Sequence, residues 1–192
     1  MNGIRSFLAY LKVEADRTNG NAYTRGELAA SNLLPLQHRL LSLISPNEND
    51  AQRKVNILRL GCTLFFAEIR RLFGIMGVFS SIHTKKLRGY LEEEMPCGWG
   101  SLEILRAWVL AMGAMESRGD DRTWFFSELE RSKAQLGMSS WEDLKQLFRQ
   151  ILWYDDVQDQ MFLELYTGIE LVNLTDNFLG GSRFGGYRPL QS

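Results

Sequence analysis

The chain has 192 residues, 45% of them hydrophobic and 11% aromatic, enough for one sizeable core, and that length favours one domain over two. Its 22 basic and 23 acidic residues leave a formal charge of -1, so no global field draws it to a phosphate backbone, and no direct DNA binding by this chain alone is expected. Two cysteines are too few for a disulfide scaffold, no long apolar stretch precedes the first charges, and no run reaches the roughly 18 apolar residues of a membrane span, so the chain reads as intracellular and soluble, with no membrane partner.

In chain order, Ile4, Phe7, Leu8 and Leu11 share one side of a short amphipathic helix over 4–15, which the turn-forming Thr18, Asn19, Gly20 and Asn21 end. From Thr24, Leu28, Leu33, Leu36, Leu40, Leu41 and Ile44 mark a second helix. Pro35 removes a backbone donor within it and should kink it or divide it into two pieces. The turn-rich stretch 45–50 then offers Asn and Asp caps to the helix that follows.

That helix, Lys54 to Phe73, is the one the rest must enclose. Leu58, Cys62, Phe65, Ile69 and Leu72 recur at alternating steps of four and three, a helical period. Its other side carries Ile57, Leu60, Leu64, Phe66 and Phe73, which leaves Arg59, Glu68, Arg70 and Arg71 as its few polar positions. A helix apolar nearly all round belongs inside a bundle. Gly74 fits the left-handed position that closes it.

Ser80 or Ser81 begins a helix through Glu94, with Ile82, Leu87, Tyr90 and Leu91 inward and Lys85, Lys86 and Arg88 toward water; Met95-Pro96-Cys97-Gly98 ends it. Ser101 to Ser117 is a second nearly all-apolar helix, with Leu102, Leu105, Trp108, Val109, Met112 and Met115, and the two apolar helices should cross at the centre. Asp120 or Asp121 is placed as the cap of a helix with Trp124, Phe125, Phe126, Leu129 and Leu136, closed by Gly137. Ser139 with Glu142, or Ser140 with Asp143, satisfies the S-x-x-[DE] capping box ahead of the stripe Trp141, Leu144, Phe148, Ile151 and Leu152. A last helix takes Val157, Met161, Phe162, Leu165 and Ile169 before a glycine-rich end. The expected fold is all-α: a single-domain helical array or bundle of about seven to eight helices over 1–172, with a flexible tail over 173–192.

Candidate chemistry is sparse. Cys62, Cys97, His38 and His83 are zinc ligands by type, but none lies at the close spacing that lets one turn present two ligands, and they are assigned structural roles. Lys85, Lys86 and Arg88 with Arg70 and Arg71 could form a basic patch for an acidic partner; a solvated helix face is the preferred reading. Asp155, Asp156 and Asp159 match the D-D-x-x-D pattern with which class I terpene synthases hold magnesium, and helical spacing puts Asp155 and Asp159 on one face. No second metal motif accompanies it, and carboxylates at a helix N-terminus also answer the macrodipole. No catalytic, cofactor-binding or metal residue is therefore assigned, and the chain is read as not an enzyme.

Three strings carry a wider resemblance: ILRLGCTLFFAEIRRLFGI over 57–75, LRAWVLAMGAMESRGDDRTWF over 105–125 and LGMSSWEDLKQLFRQILWYDDVQD over 136–159. In this order they resemble the C-terminal part of the fungal-specific transcription factor domain, the regulatory region of zinc binuclear cluster regulators. The resemblance implies an all-helical regulatory module acting in the nucleus through protein partners or a small effector. It departs from the family in one respect: the six-cysteine cluster that reads DNA there is missing, with only Cys62 and Cys97 present. The chain is accordingly expected to be a piece of a longer regulator, a truncated gene product or a stand-alone relative, with a terpene-synthase-like enzyme or a non-catalytic scaffold as alternatives.

Overall fold

A computed structural model of the chain describes residues 2–42, 49–75, 80–93 and 98–180. Ile44, the linker residues 45–48, Met76, Val78, Phe79, residues 94–97 with Cys97, and the tail residues 181–192 lie outside the described residues, as do the side chains of Leu41 and Ile169. The fold is an all-α array; among the described residues there is no strand, and no helix is long and apolar enough to cross a membrane.

Helix α1 (Asn2–Arg17) buries Phe7, Leu8 and Leu11, as its period requires, and stops where Asn19 (φ 49°) and Gly20 (φ 84°) turn left-handed. After a 3-10 turn (Asn21–Thr24), the chain stays helical through α2 (Gly26–Leu28), a π-helical turn (Ala29–Leu33) and α3 (Leu34–Leu41). Pro35 therefore does not divide the segment. In the π turn Leu34 N–H bonds back five residues, to Ala29 O. That wider turn, just before Pro35 in the first turn of α3, absorbs the lost donor and the ring's steric demand.

Helix α4 (Asp50–Leu72) is the enclosed helix. Asn49 caps it, its side chain accepting from Gln52 N–H at 2.8 Å, and Gly74 (φ 67°) closes it while Ile75 N–H bonds to Arg70 O at 3.1 Å. Ile57, Leu60, Leu64, Phe65, Phe66 and Ile69 are buried, whereas Leu58, Cys62 and Leu72 are half-buried. Two of the positions read as polar are buried as well: Arg59 is 9% and Glu68 7% exposed. The core thus closes over most of the middle of α4, and Arg59 and Glu68 are folded into it.

Helix α5 (Ser80–Glu92) turns Thr84, Leu87 and Leu91 inward, but Ile82 is 64% exposed, contrary to expectation. Five positions before Leu87, it lies about 140° round the helix from that residue. Helix α6 (Glu103–Glu116), entered through a 3-10 turn (Gly100–Leu102), crosses α4 where Gly61 faces it; a Cβ there would sit 2.8 Å from Val109 Cγ2 and 3.1 Å from Trp108 Cζ3. Phe65 and Trp108 rings lie 6.4 Å apart, so the two apolar helices meet as their composition requires.

Helix α7 (Gly119–Gln135) packs its Phe125 ring against Gly113 of α6 and ends at Gly137 (φ 68°). Neither Asp120 nor Asp121 caps it. Arg118 holds the N-cap position without a side-chain cap, and Gly119 (φ 56°) sets both carboxylates inside the first turn. Helix α8 (Trp141–Ile151) starts at Ser140, whose Oγ accepts from Asp143 N–H at 3.0 Å, and buries Leu144, Phe148 and Ile151. Helix α9 (Asp155–Gly180) buries Val157, Phe162 and Leu165, and its backbone runs beyond residue 172. Trp108 Nε1 donates to Leu152 O at 2.7 Å and Arg5 donates twice to Ile151 O, so α6 and α1 are both bound to the α8–α9 corner.

Candidate functional site

The acidic motif opens α9, and its carboxylates point two ways. Asp155 and Asp159 share one face, as their spacing requires: Arg149 Nε donates to Asp155 at 2.9 Å and Arg149 Nη2 to Asp159 at 3.0 Å, while Trp153 Nε1 donates to Asp159 at 2.7 Å. Asp156 faces α1, accepting from Lys12 Nζ at 2.5 Å and from the Tyr23 hydroxyl at 3.1 Å. Burial pushes the Asp156 carboxyl up, but the bonds from Lys12 and Tyr23 outweigh it and hold it below the usual range. These groups fasten α8 and α1 to the start of α9, and a cation would have to displace arginine and lysine to reach them.

The other candidates disperse. Cys62 sits in the core, where burial pushes its thiol up to about 12, His83 lies on α5 and His38 is exposed on α3. The cations of the supposed basic patch also separate: Arg88 pairs with Glu92 and Asp121 and lies over the Trp124 ring, Lys86 lies over Tyr90, Arg70 reaches Gln37, and Arg71 turns into the protein.

Where Arg71 turns, the helices leave a polar cleft of about 780 Å³ walled by α4, α5, α6, the first turn of α7 and Met161 of α9. Its floor is a three-residue cluster. Arg71 Nη1 and Nη2 grip Glu116 at 2.6 and 2.8 Å, a two-pronged fit of guanidinium to carboxylate, and Nη1 also bonds to Glu68. The carboxyl side chains are 8% exposed at Glu68 and 2% at Glu116, whereas Arg71 is 43% exposed and forms the part of the floor that meets solvent.

Two carboxyls this close and this buried do not both ionise. Burial, then interaction with the Glu116 carboxyl, pushes Glu68 up, toward the protonated form. Burial also pushes Glu116 up, but the bonds from Arg71 and Glu68 overcome this and hold it low. The floor is therefore an Arg71–Glu116 ion pair beside a carboxyl, Glu68, whose pKa is driven the other way. The rest of the lining includes Ser80, Ser81, Met115, Met161, Asp121 and the two arginines Arg118 and Arg122.

Sequence reasoning missed this cluster. Glu68 and Arg71 stood out only as polar positions three apart on an apolar helix, a signal that two charges would have to be satisfied from inside, but nothing nearby in the chain pointed to Glu116 as their partner. Compared with family models, curated proteins and solved structures, the chain matches none.

Proposed function

We propose that the chain is a transcription-factor-like helical regulatory module that acts in the nucleus through protein partners, with a small effector held in the Glu68–Arg71–Glu116 cleft. The observation that carries the reading is the cleft itself: a solvent-open cavity whose buried ionic floor joins α4 to α6. The segments that resemble the fungal regulatory domain overlap these same helices, 57–75 covering most of α4 and the turn after it, and 105–125 covering α6 and the start of α7. An occupant that rebalances charge at Arg71 alters the pairing between the two central helices, a route from ligand to protein surface. The enzyme alternative on Asp155, Asp156 and Asp159 gains no support, because Arg149, Trp153, Lys12 and Tyr23 already satisfy those carboxylates.

The test is a reporter assay with the chain fused to an unrelated DNA-binding domain. Regulation predicts transcription several-fold above or below that domain alone, in the direction set by the recruited partner. Transcription equal to that of the DNA-binding domain, at matched expression, would leave the scaffold alternative in its place.

A further inference from the structure

We propose that the ligand of this cleft is a small anion, a carboxylate or phosphate group carried on a compact apolar body. The inference rests on the effector reading above and adds the chemical class. It follows from the charge that remains after every pair in the cleft has been assigned.

The acidic members of the wall are all engaged. Glu116 is held by both Arg71 nitrogens, Glu68 bonds to Arg71, and Asp121 accepts from Arg88 Nη1 at 2.8 Å. No lining carboxylate is left to receive an amine or a metal ion. The basic members are not exhausted: Arg118 and Arg122 both line the cleft, and neither makes a hydrogen bond or ion pair among the described residues. They flank the start of α7, one at its N-cap position and one a turn further on. Two guanidiniums without an anionic partner among the described residues, with the Ser81 hydroxyl beside them in the lining, supply donors and positive potential for an anion. Met115 and Met161 contribute the apolar part of the wall, which suits a ligand with a hydrocarbon or aromatic body better than a bare inorganic ion.

Calorimetric titration of the full chain with four probes of similar size separates the possibilities: phenyl phosphate, benzoate, benzylamine and benzyl alcohol. Methionine methyl NMR signals report whether Met115 and Met161 feel each one. Saturable binding of phenyl phosphate or benzoate is expected, shifting those methyls, weakening with salt, and falling at least about tenfold in the double variant Arg118→Ala, Arg122→Ala. Which of the two binds more tightly tells phosphate from carboxylate. Neither arginine supports the core, so the double variant should melt with the parent; if it does not, Arg118→Gln with Arg122→Gln repeats the comparison with most of the side-chain volume kept. Anion binding that survives loss of both arginines, or tighter binding of benzylamine or benzyl alcohol with the methionine methyls shifted, overturns the anion assignment and leaves the effector reading standing. No methionine shift with any of the four overturns both.

Discussion

At the scale of single residues, Glu68 makes stability depend on pH in the direction opposite to an ordinary salt-bridged carboxylate. Its pKa is raised from 4.5 to about 8, so the folded state holds the proton more tightly than the unfolded chain does. Its contribution is complete below 4.5 and drains away as pH rises toward about 8. Glu116, Asp156, Glu142 and Asp143, all lowered, act in the opposite sense and only at the acid end. Glu68→Gln preserves a donor to Glu116 and an acceptor for Arg71 without a titrating proton. Urea melts of parent and variant from pH 5 to pH 9, taken as a difference so that the lowered pKa of His83 cancels, should show the variant gaining on the parent steadily up to about pH 8. A difference that stays flat across that range means Glu68 is ionised in the fold.

At the scale of elements, the α6–α7 contact is set by a missing side chain. A Cβ at Gly113 would lie 2.5 to 2.9 Å from three atoms of the Phe125 ring, and Phe125 is fully buried, so the ring has nowhere to retreat. Gly113→Ala gains about 1 kcal/mol of helix propensity, but overpacking of this kind costs about 1–3 kcal/mol and forces the helices apart. Net destabilisation is expected in urea melts; a Gly113→Ala variant more stable than the parent would mean the two helices separate freely. The α8 cap is a milder case. Ser140→Ala removes the acceptor for Asp143 N–H and should cost about 1 kcal/mol. Ser139→Ala removes no backbone bond and should cost less.

At the scale of the molecule, one apolar cluster runs from Phe7 on α1 through Phe65 on α4 and Trp108 on α6 to Leu165 on α9. If the chain unfolds as a unit, damage at the centre of that cluster or at its α1 end lowers the same transition. Phe65→Ala should cost about 3–5 kcal/mol and Leu11→Ala about 2–5 kcal/mol, out of the roughly 5–15 kcal/mol that holds a domain. Circular dichroism and tryptophan fluorescence should then report one midpoint in each variant. A Leu11→Ala variant with two separated midpoints would make α1 an independent unit, despite the Arg5 bonds to Ile151 and the Lys12–Asp156 pair.

The helical class, the order of the helices and the central pair were legible in the sequence, because helical periods, an Asn or Asp cap before α4, a Ser139 or Ser140 cap before α8 and the Gly74 and Gly137 stops are local signals read within one or two turns. The sequence also placed Asp155 and Asp159 on one face, since that is a matter of spacing. Which charges end up inside depends on contacts between helices far apart in the chain. Arg59 and Glu68 look solvent-facing on a helix considered alone and are buried once α5 and α6 close over it; Ile82 looks inward and is left outside because α5 offers the core a narrower face. The cleft belongs wholly to this second kind. Glu116 lies 45 residues beyond Arg71, and no local pattern records that their helices meet, that Glu68 must share a proton there, or that Arg118 and Arg122 are left over.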